Sequence, residues 1–152
     1  MAIEAQKAKW VMVTAPAAIV DNASLTTTEI DTLGWDYCEY IVILGATDIA
    51  MTALTVTESD TSGSGHANVT GLIWGTSTNS DGSTSALPSA TDDNTFQIAQ
   101  IDLRGRKRYL DLTATVGDGA AGTFVTVIAR LSRGDTSPNS ATEAGADEIL
   151  RV

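Results

Sequence analysis

The chain has 152 residues, 43% of them hydrophobic, with 19 acidic side chains against nine basic ones and a formal net charge of −10. That length suits one domain with a core of its own, and the composition excludes a disordered chain and a bilayer-spanning apolar run. An acidic domain is repelled by nucleic acid and by anionic lipid, so neither is an expected partner.

Secondary structure leans to β. The 22 threonines are β-branched and stiff at χ1, which suits a pleated, half-exposed surface. The single cysteine, Cys38, excludes an internal disulfide framework and reads as a small buried residue in an apolar run.

At the N-terminus, Lys7 and Lys9 before "WVMVTAPAAIV" loosely resemble a secretory leader. Glu4, Thr14 and Pro16 break that pattern, so the expectation is an uncleaved protein made in the cytoplasm. "KWVMVTA" (9–15) predicts a strand, ended or placed at an edge by Pro16. "LTTTEIDT" (25–32) predicts a polar strand, and "YCEYIVIL" (37–44), apolar on nearly both faces, a central one. "ALTVTESD" (53–60) alternates, with Leu54, Val56 and Glu58 on one face and Thr55, Thr57 and Ser59 on the other. "VTGLIW" (69–74) is a short strand.

Residues 75–94 hold few apolar side chains and read as a long loop, functional or mobile. "TFQIAQIDL" (95–103) sets Phe96, Ile98 and Gln100 opposite Gln97, Ala99 and Ile101. "RYLDLTATV" (108–116) turns Leu110, Leu112, Ala114 and Val116 inward. "GDGAAG" (117–122) predicts a glycine-rich hairpin connection, and "TFVTVIARLS" (123–132) a last core strand. About eight strands spaced by turn signals predict an all-β fold, an antiparallel β-sandwich of jelly-roll-like form. The expected division is a sandwich over 1–132, with an N-terminal segment 1–8, and an arm over 133–152 that closes in a helical turn at "ADEILRV". The arm reads as a frayed terminus or as a contact with another subunit.

The chemistry-bearing residues are sparse. His66, alone in "SGSGHAN", reads as a solvated loop residue, since acid–base catalysis needs an orienting partner. One His and one Cys make no zinc pattern. Asp81, Asp92 and Asp93 sit in the long loop, where Asp beside Gly and Asn is ordinary turn chemistry rather than a calcium loop. Arg133-Gly134-Asp135 and the acceptor patterns at Asn22 and Asn68 read as chance. No cofactor, no metal and no enzymatic activity is expected.

The densest feature is basic. Arg104, Arg106, Lys107 and Arg108 occupy five positions beside Tyr109. Gly105 predicts a tight bend there, just before a core strand. A nucleic-acid patch draws on several elements and on stacking aromatics, which this turn lacks. The cluster reads as an interface or an intramolecular set of ion pairs, with a solvated turn as the bland alternative.

That stretch also carries a resemblance. "GRKRYLDLTATV", "IDTLGWDYCEYIVILGAT" and "LTVTESDTSG" together resemble the motifs of small structural proteins encoded beside the major capsid gene in tailed bacteriophages. The resemblance spans residues 26–130. It implies a capsid decoration (cement, head-stabilisation) protein on the virion exterior, a β-sandwich, often a trimer, with the major capsid protein as partner. The residues themselves offer interface candidates at Arg104, Arg106, Lys107, Arg108 and Tyr109, with Trp10 at the end of a candidate contact segment 1–10 and Arg133 at the root of the arm. Residues 75–94 and 133–152 are longer than the family usually carries, which leaves oligomeric state open. A tail, baseplate or head-fibre base component is the alternative within virion biology. Trp35, Tyr37 and Trp74 keep a carbohydrate-binding sandwich module as a second one.

Overall fold

The computed structural model describes residues 4–17 and 19–150. After a 3-10 turn at Glu4–Lys7 come eight strands: β1 Lys9–Thr14, β2 Ile30–Asp31, β3 Trp35–Thr47, β4 Met51–Ser59, β5 Ala67–Ile73, β6 Phe96–Asp102, β7 Tyr109–Val116 and β8 Thr123–Gly134. They form two antiparallel four-stranded sheets, in the orders β1-β8-β3-β6 and β2-β7-β4-β5.

The core follows from period-two alternation on strands that face one another. Cys38, Tyr40, Val42 and Leu44 of β3, with Val125, Val127, Ala129 and Leu131 of β8, turn inward. Leu54 and Val56 of β4, with Leu110, Leu112, Ala114 and Val116 of β7, meet them from the second sheet in one continuous cluster. The all-β sandwich expected from the sequence is the fold. β3 lies inside its sheet, as its two-sided apolar run predicts. Burial holds Cys38 as a thiol, with its pKa pushed up to about 12.

Several local expectations are corrected. Of residues 25–32, only Ile30 and Asp31 are strand. The Thr26 carbonyl instead accepts a hydrogen bond from Thr14 Oγ1, and Thr28 N–H bonds to Val13 O. The 117–122 glycine stretch is no hairpin, because β7 and β8 belong to different sheets. It crosses the end of the sandwich, held where Asp48 accepts N–H bonds from Ala121 and Gly122. The 75–94 loop is ordered by its own bonds: Ser85 N–H to Ser77 O, Asn79 N–H to Ser83 O, and Met51 N–H to Pro88 O. Asp81 and Asp92 cap its turns at Ser83 and Ser89.

At its midpoint the arm packs on its own domain. Trp10 N–H donates to Ala144 O at 2.8 Å, and Ala144 is buried. Gly145 sits at φ +78°, where any Cβ would overlap the Trp10 carbonyl oxygen. Its helical turn spans 140–146, capped by Ser140 and Glu143, while 146–150 are not helical. Arg151 and Val152, the end of the expected helical turn, and Met1, Ala2 and Ile3 of the N-terminal contact segment lie outside the described residues.

Candidate functional site

The outer faces of the two sheets differ in kind. On the β1-β8-β3-β6 sheet, register sets Met12 beside Ile128, Ile128 beside Ile41, and Ile41 beside Ile98. This apolar row crosses all four strands on the side away from the core. Ile43 and Phe96 extend it along the strands, and Phe124 lies over Gly45, whose missing side chain leaves it room. Phe96 is 64% exposed, Met12 and Ile98 53%, Phe124 46% and Trp10 40%. At ~100 Å² each, these five side chains present about 500 Å² of apolar surface, as much as the largest patch on an ordinary monomer.

The charges on this face cancel. Arg130 pairs with Glu39 at 3.0 Å, and Gln100 donates to the other Glu39 oxygen, also at 3.0 Å. The Arg130 guanidinium lies 6.0 Å from the Trp10 ring centre. Trp10 is thus half-exposed beside a self-satisfied polar row.

The other sheet shows a polar outer face. Thr55 pairs with Thr113 and Thr57 with Asp111. Here His66 is not the solvated loop residue that its surrounding composition predicts: it is partly buried and paired. Its Nε2 lies 2.7 Å from Glu29 Oε2 and its Nδ1 lies 3.3 Å from Thr57 Oγ1. Glu29 also accepts from the Ser62 hydroxyl and the Gly63 N–H. These bonds, the Ser62 bond first, hold its carboxyl below the ordinary carboxylate range. The acid–imidazole–hydroxyl order resembles a catalytic relay, but Thr57 is buried, so its oxygen cannot meet a substrate. The chain of bonds pins the 60–66 loop to the segment before β2. Glu29 was invisible as a partner in the sequence, 37 positions from His66.

The three arginines of the basic turn are paired within the chain. Arg108 grips Asp31 through two bonds, at 2.8 and 2.7 Å, with its guanidinium 5.0 Å from the Tyr109 ring centre. Arg104 folds back on Asp102, whose carboxyl falls to about 2. Arg106 reaches Glu58 at 3.5 Å, and Glu58 also accepts the Lys107 N–H at 3.1 Å. Gly105, at φ +80°, makes the bend. The Lys107 ammonium has no acidic partner among the described residues. Arg133 stacks over Tyr37 at 5.7 Å, with Asp36 at 4.0 Å. The turn lies between β6 and β7, so it joins the sheets at one end. It is not part of the apolar face.

The aromatics proposed for sugar stacking are engaged. Trp35 and Trp74 pack against the core, and Trp74 Nε1–H donates to Gln97 Oε1 at 3.1 Å. Among the described residues no three His, Cys, Asp or Glu side chains form a metal-binding group, and no helix is long and apolar enough to cross a membrane. Compared with protein-family models, curated proteins and solved structures, the chain matches none of them.

Proposed function

We propose that this protein is a structural component of a tailed-phage virion: a decoration or cement protein, made in the host cytoplasm, that binds the outside of the head. The observation that carries the reading is the neutral apolar outer face built from Met12, Ile128, Ile41 and Ile98. A soluble chain of net charge −10 keeps such a face only to bury it against something. A flat, uncharged sheet surface suits many modest contacts repeated over a lattice, where avidity supplies the total affinity. The major capsid protein is the proposed partner, and neither nucleic acid nor membrane is one. The sandwich itself supports the reading through its strand order, which we take as a jelly roll: two Greek keys wrapped face to face. The family resemblance over residues 26–130 agrees and favours a trimer.

Quantitative mass spectrometry of purified particles tests this. Copies near those of the major capsid protein, or a simple fraction set by shell symmetry, are expected. A few copies per particle would assign the chain to the tail or a fibre base instead. Absence from the particle would overturn the virion reading. Ile41→Glu, with its charge in mid-face, should abolish shell binding while leaving the chain folded.

A further inference from the structure

Each sheet of the sandwich has two edges, and the chain itself manages three of the four. β1 is covered by its own arm through the Trp10–Ala144 bond. β2 is two residues long. β5 is thrown out of register between Thr55 and Thr57 of its partner β4, with Gly71 at φ +91° in the distortion. All three are recognised ways of blunting an edge.

β6 has none of these. Its seven residues, "FQIAQID", pair with β3 in unbroken register and contain no proline. The phase of its hydrogen bonds is fixed by those flanking it. Leu44 N–H donates to Thr95 O, and Leu103 N–H to Asp36 O. In an antiparallel ladder hydrogen-bonded pairs alternate with non-bonded ones. Gln97, Ala99 and Ile101 therefore bond to β3. Phe96, Ile98, Gln100 and Asp102 turn their N–H and C=O groups to the open edge. Beside Ile98, Ala99 and Gln100 a groove of about 460 Å³, walled by Trp74 and Asn79, keeps this stretch accessible.

We infer that β6 is a self-pairing seam: it joins β6 of a second copy of this chain, antiparallel, to make one continuous eight-stranded sheet. Three observations select a second copy over a foreign strand. First, antiparallel pairing of a strand with itself is two-fold symmetric and thus self-complementary, the commonest closed arrangement. Second, the seam is neutral within a chain of net charge −10, which otherwise repels its own kind. The only charged residue of β6 is Asp102, held by Arg104. Pairing centred on Ile98 puts the two Asp102 carboxylates at opposite ends. Third, the apolar row Met12–Ile128–Ile41–Ile98 ends at Ile98 on the open edge, so pairing carries it on into the second copy. The product is a dimer, in contrast to the trimer implied by the family resemblance. The inference does not depend on where the protein docks.

The test is the mass of the purified chain in solution by light scattering, with amide exchange read residue by residue. The wild type is expected to be a dimer, with the Ile98 and Gln100 amides protected like Ala99. Ile98→Pro deletes only an edge N–H and spares the β3 ladder, and Ile98→Lys sets two like charges across the seam. Both should be folded monomers, in which Gln100 exchanges about tenfold faster or more, while Ala99 stays slow. Should the proline variant fail to fold, the lysine variant decides alone. A monomeric or trimeric wild type would overturn the inference, as would a folded lysine variant that stays dimeric. Particle copy number tests the decoration reading separately.

Discussion

Arg108 and Asp31 form a two-pronged clamp, Nε to Oδ1 at 2.8 Å and Nη2 to Oδ2 at 2.7 Å, that ties the basic turn to the short strand β2. β2 has only two ladder pairs with β7, and the clamp adds to the buried Ile30 side chain and to the Thr32 bonds to Arg108 O. Both clamp side chains are nearly half exposed, so solvent screens the pair and its contribution is small. Arg108→Ala and Asp31→Ala should each lower stability slightly. The double variant should lose little more than either, a coupling that chemical denaturation of the four proteins measures.

Replacing Arg106, Lys107 and Arg108 together by Ser, with the Arg104–Asp102 pair kept, should lower the melting temperature and leave shell binding intact. Three of the turn's four guanidinium or ammonium groups spend their charge on Asp102, Glu58 and Asp31 of the same chain. Loss of shell binding in a folded variant would place the turn at the interface.

The Glu29–His66 tether makes stability depend on acid. The Glu29 carboxyl is held below its ordinary value of 4.5 in the fold, as are those of Asp31, Asp81, Asp92 and Asp102. A depressed folded pKa adds stability above the unfolded value and loses it as pH falls through the folded one. Stability from these groups should hold from neutral pH to about 4.5 and decline from there toward pH 2. Glu29→Gln should melt lower than wild type at pH 7, with the gap closing below pH 4.5. A gap that is constant with pH would mean the carboxylate charge contributes nothing.

Alternation made most strands readable, and it also fixed their faces. "TFQIAQIDL" places Phe96 and Ile98 opposite Ala99 and Ile101, but periodicity alone does not say which set is inside. The larger pair proved to be outside: Phe96 and Ile98 are exposed, while Ala99 and Ile101 join the core cluster. The apolar face was therefore written in the sequence without its sign. The basic turn was legible as a cluster, and its partners Asp31 and Glu58 were not, since they lie 77 and 49 positions away for Arg108 and Lys107. The glycine crossover misled because a glycine-rich link between two strands looks the same whether it closes a hairpin or changes sheets.

Tyr40 carries the one buried side-chain oxygen with no hydrogen-bond partner among the described residues. Burial pushes its phenol well above the ordinary range. An unsatisfied hydroxyl in a core costs about 1–3 kcal/mol, and the ring contributes its packing regardless. Tyr40→Phe should therefore stabilise the protein by about 1 kcal/mol, raising the melting temperature by ~2–4 °C. A destabilised Tyr40→Phe would show that the hydroxyl has a partner, such as a buried water.

Gly145 is the position on which the arm's docking turns. Its left-handed backbone and the Trp10 carbonyl against its α-carbon admit no side chain. Gly145→Ala should lift residues 140–150 from β1 and free the Trp10 N–H now bonded to Ala144. The core below is untouched, since Val13, Ala129 and Leu131 pack without the arm. Amide exchange at Trp10 should then accelerate while that of Tyr40 is unchanged. A newly bared β1 edge, apolar at Trp10 and Met12, should make the variant associate more strongly with concentration than the wild type. Unchanged exchange at Trp10 would mean that the arm leaves this edge without help from the substitution.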